Sequence, residues 1–253
     1  MLADERVGIR RNVRTAIVTG GSSGIGKATC EVLARDGYRV AVFDRDELGA
    51  HAVADAIGGS AFVCDVTDER AVVNAFERAL EALGDRLDAL ATPAGIVDTT
   101  PFLELDAAAF LRVYQVNVIG TFLCMREAAK RMQPGARICT VASVAGKRGG
   151  GLHGTAAYAA SKGAVIALTR SAARALAERE IAVNGIVPGP ALTPMLQSTL
   201  DDESNQARIA QATLLRRLAE PSEIAEAIAW LLSPAASYVN GEMLSVDGGL
   251  LLD

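Results

Sequence analysis

The stretch that most constrains what this chain can fold into is Thr19-Gly20-Gly21-Ser22-Ser23-Gly24-Ile25-Gly26. It follows directly on a short apolar run over 13–19 that contains Ala16, Ile17 and Val18, so the chain must turn sharply after a buried strand. Gly20, Gly24 and Gly26 lack the Cβ that would block, in turn, a tight turn, close approach to a pyrophosphate, and close packing of helix on sheet. A helix over 25–36 then points its free N–H groups and the positive end of its dipole at the loop, where a diphosphate would sit. Gly37 stops that helix, and a second strand over 38–43 ends in Asp44. Asp44 stands 18 positions after Gly26 (26 to 44), close to the ~20 at which an acidic group accepts from adenosine ribose hydroxyls. Strand, loop, helix, strand and terminal acid in this order predict a dinucleotide site.

Beyond Asp44, helical and extended patterns alternate. Helices are predicted over 46–57 and 68–83, over a long segment at 106–132, around Tyr158, and from Pro221 through Leu231. Strands are predicted over 60–64, 87–92, 137–142, 181–187 and 243–246. Alternation of this kind implies right-handed crossovers and a doubly wound, Rossmann-type parallel α/β sheet of about seven strands with helices on both faces. The 253 residues suit one such domain over 1–253 and are too few for two generous ones. Residues 193–215 are polar and apolar by turns, including Asp201-Asp202-Glu203-Ser204-Asn205, which predicts a mobile pair of helices over about 190–218 acting as a substrate lid.

The formal charge is −5, without long runs of one sign, so neither nucleic acid nor an anionic membrane is an expected partner. A small molecule is. Cys30, Cys64, Cys124 and Cys139 show no C-x-x-C spacing and fall inside apolar patterns, which predicts packed free thiols and no metal site. The charged start over 1–12 has no apolar stretch like that of a signal peptide, and no run of ~18 uncharged apolar residues occurs, so a cytoplasmic location is expected. Half of the residues are apolar. That excess points either to burial between subunits, in which the tail Leu250, Leu251 and Leu252 would take part, or to an alanine-rich core.

Four strand ends carry candidate chemistry. Cys64-Asp65-Val66 closes the third strand, where Asp65 can accept from an adenine amino group while the backbone of Val66 covers the ring, or can instead cap the next helix. Pro93-Ala94-Gly95 closes the fourth, with small residues that let backbone approach a ribose and nicotinamide. The fifth delivers Ser143, then a glycine-rich segment, then Tyr158-Ala159-Ala160-Ser161-Lys162, whose i, i+4 spacing puts a phenol and an ammonium on one helix face. The sixth ends in Pro188-Gly189-Pro190, ahead of Ala191 and Thr193. Asn117, between Val116 and Val118, needs partners for its amide inside an apolar helix, at a kink or as a core hydrogen bond.

Taken together, the G-x-x-x-G-x-G spacing, Ser143, Tyr158-Ala159-Ala160-Ser161-Lys162 and Asn117-Val118-Ile119-Gly120 resemble the short-chain dehydrogenase/reductase family over essentially the whole chain. The resemblance implies a dehydrogenase that exchanges hydride between a nicotinamide cofactor and an alcohol/carbonyl pair. Tyr158 is then the acid/base. A phenol of pKa ~10 is a poor base at neutral pH, so Lys162 and the positive nicotinamide must favour the phenolate, and Lys162 also bonds the nicotinamide ribose. Ser143 donates to the substrate oxygen, Asn117 holds a water relay behind Lys162, and Thr193 bonds the nicotinamide carboxamide. NAD is expected rather than NADP, because Asp44 would face a 2′-phosphate and Ser23 stands where NADP users of the family carry a base. Arg45 is the one dissenting feature. A homotetramer is implied as well.

Two features depart from the family's pattern. Its Asn-Asn-Ala-Gly appears as Thr92-Pro93-Ala94-Gly95, and the gap from Ser143 to Tyr158 is 15, an excess assigned to a loop over 149–153 that shapes the substrate mouth. The rival readings are a non-catalytic NAD-responsive regulator on the same fold, an epimerase or dehydratase of the extended family, and, as a specific activity, 3-oxoacyl thioester reduction.

Overall fold

The computed structural model describes residues 13–150, 156–198 and 203–252. Its first half runs Thr15–Thr19 (β1), Gly24–Arg35 (α1), Arg39–Asp44 (β2), Glu47–Ile57 (α2), Ser60–Val63 (β3), Glu69–Leu83 (α3) and Ala89–Thr92 (β4). Three aspartates start helices by accepting from the first free amides. Asp46 takes Gly49 N–H at 3.1 Å, Asp68 takes Arg70 N–H at 2.8 Å, and Asp106 takes Ala109 N–H at 2.7 Å. The cap of α3 is therefore Asp68 and not Asp65, whose carboxylate instead closes a local turn onto the N–H and Oγ1 of Thr67 at 2.9 and 2.8 Å.

The segment predicted as one long helix is continuous but changes winding: Ala107–Tyr114 (α4), a π-helical stretch Gln115–Gly120, and Thr121–Arg131 (α5). Thr121 Oγ1 donates to the carbonyl of Asn117 at 2.8 Å, and a Cβ on Gly120 would lie 2.6 Å from Val66 Cγ2. The wider turn thus seats the helix backbone against the end of the third strand. Its 25 residues are long and apolar enough to cross a bilayer by length and composition. Here one face of the helix packs inside the fold, with Val113, Asn117, Leu123, Cys124 and Met125 buried, while Leu111 and Phe122 are exposed.

The second half runs Arg137–Val141 (β5), Val144–Arg148 (α6), Ala156–Ala175 (α7), Ala182–Pro188 (β6), Pro194–Gln197 (α8), Glu203–Gln211 (α9), Pro221–Leu232 (α10) and Met243–Val246 (β7). All seven strands are parallel in the order β3-β2-β1-β4-β5-β6-β7. The chain order reverses where β1 sits between β2 and β4, and the crevice at the carboxyl ends beside such a reversal is where ligands bind in doubly wound sheets.

Every residue of β1 is buried, because helices cover both faces. On one side Val18, Val42, Leu33, Ile224 and Ile228 bring β1 and β2 against α1 and α10. On the other, Phe43, Phe76, Leu90 and Ile138 pack under α3 and α5, with the rings of Phe43 and Phe76 edge-on at 5.3 Å. All four cysteines are free and buried, as their apolar settings predict.

The tail is partly covered by its own chain. Leu251 packs against the cluster of Val118, Val165 and Met243, Leu250 is partly buried at the edge of an open cavity, and Leu252 alone of the three is exposed. Two of the three leucines therefore find their apolar surroundings within this chain. Residues 151–153 of the loop expected to shape the substrate mouth, Asp201 and Asp202 of the lid, and the charged start lie outside the described residues.

Candidate active site

Two adjoining cavities open at the carboxyl edge of the sheet. The first, about 350 Å³, runs along the glycine loop past Gly20, Ser22, Ser23, Gly24, Ile25 and Gly26. It continues to Asp44, Asp65 and Val66 on one side and to Ala94, Gly95 and Thr193 on the other. The second, about 190 Å³, holds Ser143, Tyr158 and Lys162 together with Pro188, Gly189 and Ala191. Ile25, Pro93, Gly95, Thr193 and Met195 border both, so the predicted cofactor residues trace one path that ends at the candidate catalytic ones. Asn117 borders neither cavity and is fully buried behind them.

The glycines of the loop let backbone come close where a Cβ would not fit. A Cβ on Gly26 would stand 1.9 Å from the carbonyl oxygen of Gly20, so this glycine lets α1 pack on the loop itself rather than on the sheet. A Cβ on Gly20 would stand 2.8 Å from Ala94 Cα, and Gly20 also has φ +62°. Ala94 N–H donates to Thr19 Oγ1 at 3.3 Å, tying the end of β4 to the end of β1 across the crevice. Asp44 faces the loop with both oxygens engaged: one accepts from Ser22 N–H and the other from Asp46 N–H, each at 3.0 Å. Arg45 and Asp46 border the same cavity. Cys64 does too, but burial pushes its thiol up to about 12, so it carries no nucleophilic thiolate near neutral pH.

Ser143 and Tyr158 come together because α6 is held against α7. A Cβ on Gly146 would lie 2.6 Å from the carbonyl carbon of Lys162, so only glycine allows this helical turn to sit on the α7 backbone. Ser143 caps α6 by accepting from Ala145 N–H at 3.1 Å, and its hydroxyl is hydrogen-bonded to that of Tyr158. Lys162, 4% exposed, donates to the carbonyl of Val141 at 2.9 Å, and its Nζ lies 5.7 Å from the centre of the Tyr158 ring. Burial raises the Tyr158 phenol, while the Ser143 hydrogen bond pulls the other way. Burial also brings the Lys162 ammonium down to about 8. Ser143 thus favours the phenolate against burial, and the Lys162 ammonium donates to the β5 carbonyl.

Asn117 makes more contacts than its place in the sequence suggests. Its Oδ1 accepts from Ile96 N–H at 2.8 Å, while its Nδ2 donates to Ile96 O at 2.9 Å and to Ser161 Oγ at 2.9 Å. Ser161 Oγ in turn donates to the carbonyl of Tyr158 at 2.7 Å. Both amide donors are spent on protein groups, so the side chain acts as a clamp between the end of β4 and the tyrosine helix. Gly95 fits between this amide and Lys162, with its missing Cβ 3.1 Å from Asn117 Oδ1 and 3.4 Å from Lys162 Nζ.

At the departure from the family's asparagines, Thr92 Oγ1 is buried without a hydrogen-bond partner, an arrangement that typically costs ~1–3 kcal/mol. Thr193 Oγ1 caps α8 by accepting from Leu196 N–H at 3.2 Å, which leaves its proton free to donate toward the shared border of the two cavities. Ile96 borders the first cavity, and Val97, Leu196, Ile209 and Arg148 border the second, though no motif in the sequence marks them. Ser161 was visible inside the Tyr158-to-Lys162 motif.

The family model described as enoyl-(acyl carrier protein) reductase matches residues 20–251. A 2,5-dichloro-2,5-cyclohexadiene-1,4-diol dehydrogenase of Sphingobium indicum is 40% identical over 243 residues, 93% of this chain and 96% of its own. A cis-4-hydroxycyclohexanecarboxylate dehydrogenase of Sinomonas cyclohexanicum is 41% identical over 244 residues, 93% of this chain and 96% of its own. Among solved structures, a short-chain dehydrogenase/reductase described as glucose/ribitol dehydrogenase from Brucella melitensis superimposes with a TM-score of 0.89 at 34% identity, covering 95% of this chain and 97% of that one. The chain belongs to the short-chain dehydrogenase/reductase family and is an oxidoreductase of that fold.

Proposed function

We propose that this protein is an NAD-dependent dehydrogenase that interconverts a secondary alcohol and a ketone on a small molecule, with Tyr158 as acid/base. The observation that carries the reading is the junction of the two cavities, one lined by the glycine loop and Asp44, the other by Ser143, Tyr158 and Lys162. The names of the relatives, dehydrogenases of a cyclic diol and of a hydroxycyclohexanecarboxylate, support a secondary alcohol as substrate.

A bound nicotinamide nucleotide would supply the hydride acceptor. Gly20, Gly24, Asp44, Asp65, Val66, Gly95, Pro188 and Thr193 would hold it along the path described. Tyr158 takes the hydroxyl proton of the alcohol at its phenolic oxygen. Ser143 donates to the same substrate oxygen as negative charge grows there, a preorganised contact because α6 fixes the serine before substrate arrives. Lys162 positions the tyrosine helix through Val141 and offers its remaining donors toward Gly95, where the nucleotide ribose would lie. Asn117 fixes the separation of Gly95 and Tyr158 through Ile96 and Ser161.

NAD rather than NADP follows from Asp44. Backbone amides hold both of its oxygens at 3.0 Å, which supports a carboxylate kept where a 2′-phosphate would meet it. Leu111 and Phe122, exposed on α4 and α5, support burial between subunits in a homotetramer, which light scattering would refute by giving a monomer near 26.3 kDa. The function itself is tested by a panel of cyclic and acyclic secondary alcohols with NAD and with NADP, following the absorbance of reduced cofactor. Turnover of no alcohol with either cofactor refutes it.

A further inference from the structure

Arg148 ends the five-residue helix that Ser143 begins, and it borders the same cavity as Ser143, Tyr158 and Lys162. Gly149, at φ +78°, stops the helix there. The serine and the arginine therefore stand at opposite ends of one rigid turn, roughly 7.5 Å apart along its axis. Acids satisfy other arginines of this chain: Arg35 grips Glu226, Arg217 grips Glu223, and Arg131 reaches the buried Glu127. Arg148 has neither a hydrogen bond nor an ion pair among the described residues, and no Asp or Glu borders its cavity. The remaining wall is apolar, made by Val97, Val144, Met195, Leu196, Ile209 and Leu250. Arg148, exposed and on the border of this chamber, carries a planar pair of donors suited to a carboxylate, and no acid among the described residues competes for it.

We infer that Arg148 binds a carboxylate of the substrate, so that the preferred substrates are hydroxy acids with a compact apolar skeleton and an acid group remote from the carbinol carbon. The inference rests on reading this cavity as the site of alcohol oxidation. Its volume of about 190 Å³, shared with the nicotinamide end of the cofactor path, falls below the ~300–1,000 Å³ of sites for drug-sized ligands and favours such small molecules.

The test compares kcat/KM for cis-4-hydroxycyclohexanecarboxylate and its methyl ester, which differ in charge and share a skeleton, in wild type, Arg148→Met and Arg148→Lys. Wild type should prefer the acid at least tenfold, chiefly through KM, and the preference should shrink as salt rises from about 0.05 to about 0.5 M. Arg148→Met should reduce the acid-to-ester ratio at least tenfold, and Arg148→Lys should recover part of it, since charge returns without the fork. Competitive inhibition of ester oxidation by cyclohexanecarboxylate in wild type, stronger than by methyl cyclohexanecarboxylate, gives an independent reading if a variant folds poorly. Ester oxidised as well as acid, or a ratio that Arg148→Met leaves in place, overturns the inference while the dehydrogenase reading stands. Turnover of neither compound, nor of any alcohol in the wider panel, overturns both.

Discussion

The amide of Asn117 holds both backbone groups of Ile96, accepting its N–H at 2.8 Å and donating to its carbonyl at 2.9 Å. A buried side chain on the π-helical turn thus does for the chain after β4 what a neighbouring strand would otherwise do. Through Ser161 the same amide reaches the carbonyl of Tyr158. One side chain thus ties the backbone beside Gly95 to that of Tyr158.

Asn117→Ala should therefore lower both stability and catalysis. Losing the partners of Ile96 and Ser161 leaves buried polar groups unpaired, at ~1–3 kcal/mol each. Urea unfolding should show a midpoint drop, and kcat should fall with cofactor KM rising. A variant of wild-type stability and kcat would remove Asn117 from its positioning role.

Tyr158→Phe should abolish turnover while nearly preserving cofactor affinity, since a proton-carrying hydroxyl is lost and little else. Titration with cofactor and a steady-state assay give the two numbers. Activity within tenfold of wild type would end the acid/base assignment.

The lowered ammonium of Lys162 should make cofactor affinity pH-dependent. Below about 8 the side chain is protonated and can offer three donors, and above that value it becomes a neutral amine. Dissociation constants for cofactor should rise as pH increases through about 8, and Lys162→Ala should flatten this dependence as well as weaken binding. An unchanged pH profile in the variant would assign the ionisation elsewhere.

Asp44→Ser should shift preference toward NADP. It removes the charge beside the 2′ position and leaves Arg45 on the same cavity wall to meet a phosphate. One unit of like charge at ~4 Å is worth ~1–4 kcal/mol over the range from bulk water to a protein surface, so the NAD-to-NADP ratio of kcat/KM should fall roughly tenfold or more. No shift would mean that another group discriminates between the cofactors.

Glu127 should govern acid stability. It is 1% exposed and accepts from Arg126 at 3.1 Å, Lys130 at 2.7 Å and Arg131 at 2.5 Å. Burial by itself raises its carboxyl, but these three cations outweigh that and hold it near 2. Its folded value is thus below the ordinary 4.5, so its contribution is complete above about 4.5 and is lost as pH falls toward 2. The contribution amounts to up to ~3 kcal/mol at ~1.36 kcal/mol per unit. Thermal unfolding of Glu127→Gln should show a lower Tm at neutral pH and a weaker fall in Tm between pH 5 and pH 3 than wild type.

By itself the sequence determined the parallel α/β fold and the path of the candidate cofactor groove. Both depend on local signals: the glycine loop, the alternation of periods, and the residues that end each strand. The Tyr158 and Lys162 pair was legible for the same reason, since i, i+4 spacing needs no knowledge of the rest of the chain. Tertiary structure alone decided what pairs across distance. The cap of α3 went to Asp68 because its carboxylate, rather than that of Asp65, meets the first free amides. Leu250 came to border the second cavity, a placement that an apolar tail does not announce. Asn117 found Ile96, 21 positions earlier, through a π-helical turn that carries no period of its own. Arg148 reached the second cavity because Gly146 lets α6 press on the backbone of α7, a contact set by what is missing from a side chain and therefore invisible until the two helices are brought together.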